Sequence, residues 1–142
     1  MKAKTIHYVD DDRDDIEYFK FAVDQLKSNI TLHVHNNADS FLESCRRNEE
    51  KDPVIFLDIN MPVKTGFDLL KEIRCNSDLK SLPVIMYSTS SDPVSISISK
   101  DLGADLYAVK PVDIKEVAQL ISKVLGIEWD SLELSRHNFV IN

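Results

Sequence analysis

Positive charge is scarce in this chain: 17 Lys and Arg stand against 24 Asp and Glu, for a net charge of −7. A nucleic-acid groove needs clustered Lys and Arg to neutralise phosphates, so that class of partner is excluded, and a cation or a basic protein surface fits better. Cysteine is scarce too. Cys45 and Cys75 are the whole complement, with neither CxxC spacing nor paired His close by, so they suggest no zinc site and read as reduced thiols of a cytoplasmic protein. No apolar run approaches the ~18 residues that span a bilayer. Met1–Thr5 leads into strand-forming residues without the apolar core of a signal peptide, so neither membrane insertion nor secretion is expected. Internal repeats and low-complexity linkers are also missing.

What remains is an ordinary globular composition, 43% hydrophobic and 29% charged, on 142 residues, which argues against disorder or coiled coil and fits one domain. The stretch Val54-Ile55-Phe56-Leu57-Asp58-Ile59-Asn60-Met61-Pro62, with Gly66 beyond it, organises the rest. Four apolar residues after Pro53 match a central parallel strand covered on both faces. Asp58 falls at the carboxyl end, the edge of an open α/β sheet where ligands bind. On this stretch alone a reactive acid and a turn-forming one are both open.

The flanking segments repeat the pattern of strand, then helix. Thr5–Val9 is strand-forming and runs into Asp10-Asp11-Asp12-Arg13-Asp14-Asp15, five Asp in six positions. Asp14 and Asp15 read as first-turn acids of a helix over residues 13–27, where they meet its dipole. Asp10 and Asp11 end a strand, where crowded like charges cost energy unless a cation is bound. Ile16, Phe19, Val23 and Leu26 form that helix's apolar stripe. Thr31–His35 alternates as an edge strand; His33 and His35 share a face and, without a third ligand, read as solvated surface. A helix begins near Asn37 and carries Phe41, Leu42 and Cys45 inward. After the central strand comes a helix with Phe67, Leu70 and Ile73 on one stripe, then the strand Val84–Tyr87, ending on Ser88.

Residues 92–103 send conflicting signals. Val94-Ser95-Ile96-Ser97-Ile98-Ser99 has the period of a strand, but Asp92 is a fitting N-cap, Pro93 a first helical residue and Gly103 a stop. A marginal helix is expected, because β-α alternation leaves a helix-shaped gap here. Asp105–Val109 is a fifth strand ending at Lys110-Pro111. A helix to Leu125 follows, carrying Val117, Leu120, Ile121 and Val124, and Gly126 closes it. Residues 127–142 show no period but hold Trp129, Leu132, Leu134, Phe139, Val140 and Ile141, too much apolar surface for a linker, so this tail is expected to pack on the body or on another chain.

Five strands alternating with five helices imply a doubly wound α/β parallel sheet. If strands one, three, four and five are neighbours, Asp10, Asp11, Asp58, Ser88 and Lys110 converge on one cleft. Three carboxylates there suit Mg²⁺, whose charge would let Asp58 act as a nucleophile toward a phosphoryl group; Lys110 and Ser88 can contact phosphoryl oxygens.

With "DD" after the first strand, "FLDINMP" and Gly66, a hydroxyl after the fourth strand and "YAVKP" after the fifth, residues 4–126 resemble the receiver domain of two-component response regulators, CheY-like. The resemblance implies a flavodoxin-like sheet of order 2-1-3-4-5, a receiver over residues 1–126 and a C-terminal extension over 127–142 of unknown role. It implies that Asp58 accepts a phosphoryl group from the phosphohistidine of a sensor histidine kinase or phosphotransfer protein, and that the chain itself catalyses this transfer and acyl-phosphate hydrolysis rather than turning over a separate substrate. Asp10 and Asp11 look like the acidic pair, with Asp11, Asp58 and the Asn60 carbonyl around Mg²⁺. Lys110 resembles the family's lysine, with a cis peptide to Pro111. Ser88 and Tyr107 resemble the switch pair. A downstream protein target would read the face of helix four, strand five and helix five, with the chain a monomer or a phosphorylation-dependent dimer.

Two departures stand out. Ser88 replaces the commoner Thr, and Thr89 takes a place often held by a smaller residue, where it could hinder the hydrolytic water. The alternatives are an Asp-nucleophile phosphohydrolase of haloacid dehalogenase type, which lacks its second acid at Asn60, or a degenerate scaffold receiver, against which every active-site group is present.

Overall fold

The alternation resolves into one parallel sheet in the structure, a computed structural model that describes residues 2–47, 52–129 and 138–142. In chain order the elements are β1 (Thr5–Val9), α1 (Arg13–Gln25), β2 (Thr31–His35), α2 (Ala38–Arg47), β3 (Pro53–Leu57), α3 (Gly66–Cys75), β4 (Val84–Ser88), α4 (Pro93–Asp101), β5 (Leu106–Val109) and α5 (Ile114–Leu125). The strands lie in the order β2-β1-β3-β4-β5, every pair parallel, as expected. The chain steps to one side of β1 for β2 and to the other for β3, which opens a crevice at the carboxyl ends of β1 and β3.

Alternate residues of each strand feed two cores. Ile6, Tyr8, Val54, Phe56, Ile85, Leu106 and Ala108 pack against α1 and α5, while Val9, Ile55, Leu57, Val84, Met86 and Tyr107 pack against α2, α3 and α4. The central strands are buried on both faces, which is why their sequences are apolar without alternation.

The ambiguous Ser/Ile segment is helical. Asp92 caps α4, its carboxylate accepting the Val94 amide at 3.1 Å, and Pro93 supplies the first turn. Gly103 takes φ +97°, the left-handed stop that glycine adopts at least cost. The alternation has a cost on a helix: Ile96 faces the core with the buried Ser99, whose hydroxyl donates back to the Ser95 carbonyl at 2.8 Å, but Val94 and Ile98 stand exposed.

His35 is not solvated surface. It is 6% exposed and its Nε2 lies 3.0 Å from Nδ1 of the buried His7, which also stacks on the His33 ring. Parallel pairing aligns His7 with His33 and Val9 with His35, so all three imidazoles share the face covered by Phe41 of α2. Burial, then the nearby His33, lower the His35 pKa to about 4. The unfolded chain therefore binds a proton that the fold refuses, and stability should fall as pH drops from about 6.5 to about 4, by on the order of 2–3 kcal/mol. The drop in melting temperature between pH 7 and 4.5 should be larger for the parent than for His35→Gln; equal drops would refute this.

The described parts of the tail, residues 127–129 and 138–142, pack on the chain's own body. The Tyr107 amide donates to the Phe139 carbonyl and the Ile141 amide to the Tyr107 carbonyl, both at 2.8 Å, so Val140 bridges β5 in parallel and covers its outer edge. Phe139 joins the α4-side core, while Ile141, Ile127 and Trp129 join the α1/α5 side. Leu132 and Leu134 lie outside the described residues.

Candidate functional site

Strand pairing builds the site. Val9 and Leu57 are register partners, and the ladder continues one step beyond them: the Asp58 amide donates to the Val9 carbonyl at 2.9 Å and the Asp10 amide to the His35 carbonyl at 3.0 Å. The two acids therefore end adjacent strands side by side, both buried. Asp11 follows and is exposed; one carboxylate oxygen from each of Asp10, Asp11 and Asp58 lies within 4.8 Å of the others. Among the described residues, this is the group of acids, His or Cys that could hold a metal ion. Its donors are all hard carboxylate oxygens, the set that Mg²⁺ takes, and their crowding supplies the charge that a cation would offset, so the residues fit the ion.

Lys110 faces them from the end of β5. Its amide donates to the Ser88 carbonyl at 2.7 Å, which fixes the residue against β4. Its ammonium lies 2.8 Å from Asp10, 2.8 Å from Asp15 and 3.2 Å from Asp58, with the side chain 8% exposed. Burial works against this ammonium, but hydrogen bonds to Asp10 and Asp15 outweigh it and the pKa rises. Asp58 is pushed up to about 7, first by burial and then by the Asp10 charge, with Lys110 opposing. Burial and the neighbouring carboxylates thus outweigh the lysine at Asp58.

Two contributors went unread in the sequence. Asp15, assigned only to the helix dipole, also binds Lys110; three residues past the cap, it sits on the first turn of α1 facing the crevice. Tyr8, two residues before Asp10 on the same face of β1, donates its hydroxyl to the Asp10 carboxylate. Burial, then Asp10, drive its phenol pKa far up, so it stays a donor.

The remaining positions fall around these. Ser88 is buried, its hydroxyl oxygen accepting the Ser90 amide at 3.1 Å, and Thr89 is exposed just beyond. Tyr107 is fully buried, its hydroxyl donating to the Ser90 carbonyl at 2.7 Å. Asn60 is exposed in the loop after Asp58. That loop is held by the Gly66 amide on the Ile59 carbonyl at 2.7 Å, and Val63, fully exposed, takes φ +67°, uncommon for a β-branched residue. The expected cis bond before Pro111 is not there: no peptide among the described residues is cis. The trans form is the lower in energy by about 0.5–1 kcal/mol for such a bond, and in it Lys110 already reaches Asp10, Asp15 and Asp58.

Residues 6–122 match the response regulator receiver domain family. The chain belongs to that family. Two-component response regulator ORR11 of Oryza sativa subsp. indica is 40% identical to this receiver over 72 residues, 51% of this chain and 49% of the rice protein. Two-component response regulator ARR12 of Arabidopsis thaliana is 32% identical over 122 residues, 86% of this chain and 20% of that protein. The receiver therefore spans about half, or less, of the length of these relatives. Among solved structures, bacteriophytochrome response regulator RtBRR is 32% identical with a TM-score of 0.72, covering 92% of this chain and 82% of that one. The phosphorylated cyanobacterial phytochrome response regulator RcpA is 28% identical with a TM-score of 0.72, covering 96% and 97%. Receiver domains are signalling domains of two-component systems, and no helix among the described residues of this one is long and apolar enough to cross a membrane.

Proposed function

We propose that this receiver takes a phosphoryl group on Asp58 from a phosphohistidine and uses it to change the surface read by a downstream protein. The observation that carries the reading is the facing of Asp10, Asp11 and Asp58, within 4.8 Å of one another, by a buried ammonium 3.2 Å from Asp58. In the transfer an Asp58 carboxylate oxygen forms a bond to phosphorus as the P–N bond breaks. The imidazole leaves with that electron pair and takes up a proton, and water later returns the carboxylate and inorganic phosphate. Asp10, Asp11, Asp58 and the Asn60 carbonyl are the groups that would hold Mg²⁺; bound there, it would neutralise charge on the incoming phosphoryl oxygens. Lys110 is placed to pair with a phosphoryl oxygen as a point charge, and Tyr8 keeps Asp10 oriented. Ser88, buried at the end of β4, would donate to another oxygen, with Tyr107 held inward behind it. RcpA, captured phosphorylated, supports the same chemistry here.

The proposed donors are a sensor histidine kinase or a phosphotransfer protein. The proposed target face is α4, β5 and α5, where Val94 and Ile98 of α4 are exposed. Incubation with Mg²⁺ and a small phosphodonor should add the mass of one phosphoryl group to the intact chain and none to Asp58→Ala. No gain in the parent, or a gain that survives in the variant, would reject the assignment. Thr89→Ala should shorten the lifetime of the acyl phosphate if the Thr89 side chain hinders water, and an unchanged decay rate would remove that role.

A further inference from the structure

Tyr107 is where the tail and the site meet. Its amide and carbonyl both bond the tail, at 2.8 Å each, while its hydroxyl holds the Ser90 carbonyl at 2.7 Å in the loop that leaves Ser88. The main chain of this one residue carries the tail and its side chain carries the loop. Around this pivot the tail straddles β5. Phe139 joins the core on the α4 side, in the same cluster as the Tyr107 ring, with the Lys100 ammonium 5.8 Å from its ring centre. Ile141 is buried on the opposite face, and the Asn142 carbonyl accepts the Lys123 ammonium at 2.6 Å. Asn142 also walls a cleft of about 610 Å³ with Lys110, Pro111, Glu116 and Lys123, so the tail's end reaches the neighbourhood of the site lysine.

We propose that residues 139–141 form a clasp whose hold on the β5 edge is set by phosphorylation. This rests on Asp58 as the phosphoryl acceptor. A phosphoryl group that draws the Ser88 hydroxyl toward it favours the inward, loop-bonded Tyr107, and an inward ring leaves the edge of β5 to Phe139. An outward ring would have to pass that same edge and would compete with Phe139 for it. Phosphorylation therefore tightens the clasp, and the occupant of this surface is the chain's own segment. A target that pairs with the β5 edge would have to displace it. The size of the effect is bounded by the difference in clasp stability between the two ring positions.

The test is hydrogen exchange at the Tyr107 and Ile141 amides, read by NMR on the full chain, with and without Mg²⁺ and excess small phosphodonor, with intact mass followed in parallel. Asp58→Ala in the same mixture controls for the additives. Exchange of the Ile141 amide should slow at least about tenfold on phosphorylation, since protection follows the local opening equilibrium. Tyr107→Phe, which keeps the ring and deletes the hydroxyl, should shrink that difference. A gain in mass with unchanged or faster exchange overturns the clasp and leaves Asp58 as acceptor. No gain in mass overturns the acceptor and the clasp with it. Slowing that grows with protein concentration would assign the edge to the tail of a second copy and overturn the intramolecular clasp.

Discussion

At pH 8 and without divalent metal, Asp58→Asn should melt about 5–10 °C above the parent. The Asp58 carboxyl rises from its ordinary 3.8 to about 7 in the fold, burial acting first and Asp10 second. An acid raised in this way contributes stability that is fully present below 3.8 and lost as pH rises to about 7, so above 7 the ionised group costs the fold its full penalty. A shift of this size, Lys110 already included, corresponds to about 4 kcal/mol, which residual solvation brings down to roughly 2–3 kcal/mol for the neutral isostere. For a chain of this size each kcal/mol moves the midpoint by about 2–4 °C. The gain should shrink to almost nothing toward pH 4, where the folded parent holds Asp58 protonated and the unfolded chain begins to take up the same proton. Mg²⁺ should raise the parent's midpoint more than the variant's, because binding to the folded state alone adds stability. Thermal scans at pH 4, 6 and 8 decide it: a parent as stable as the variant at pH 8 would mean that the three acids do not strain the site.

Gly66→Ala should be severely destabilising for a different reason. A Cβ at Gly66 would stand 2.1 Å from the Asp58 carbonyl oxygen and 2.8 Å from the Ile59 Cα, both backbone atoms that no rotamer change can clear. Space rather than φ requires glycine here, because α3 begins against the strand end that carries Asp58. The methyl must push the loop or the helix away, breaking the 2.7 Å hydrogen bond from Gly66 to Ile59, at a cost of at least about 3 kcal/mol. Because the displaced backbone is that of Asp58, phosphoryl uptake should also fall where the variant is still folded at low temperature. Denaturant midpoints and intact mass at 10 °C measure the two effects separately. A loss under about 1 kcal/mol with normal uptake would show that the loop is slack.

These cases mark how far residue patterns reach. Strand ends were legible because burial on both faces demands unbroken apolar runs, and each run stops at the residue that matters: Asp10, Asp58, Ser88, Lys110. The helical ending of the Ser/Ile segment was legible from Asp92, Pro93 and Gly103 even though its interior alternates like a strand. Asp15 was missed because a first-turn acid has a sufficient local explanation; only the path of β5 brings Lys110 to it. His35 was misjudged because alternation in an edge strand does not say which face a covering helix takes, and α2 covers the imidazole face. The tail has no period to read, since Phe139 and Ile141 serve opposite faces of the sheet across a single bridge. The peptide before Pro111 is a choice between isomers that side-chain pattern does not encode.

The covered edge of β5 has one more consequence, for colloidal behaviour. An open sheet normally offers two unpaired rims, and copies that add strands at both can grow without limit into fibres. With Val140 bridged to Tyr107 on one rim, a copy that pairs there must first displace the bridge, whereas two β2 rims that meet exhaust each other. The segment around Val140 thereby biases strand-to-strand stickiness away from chain growth and toward a pair.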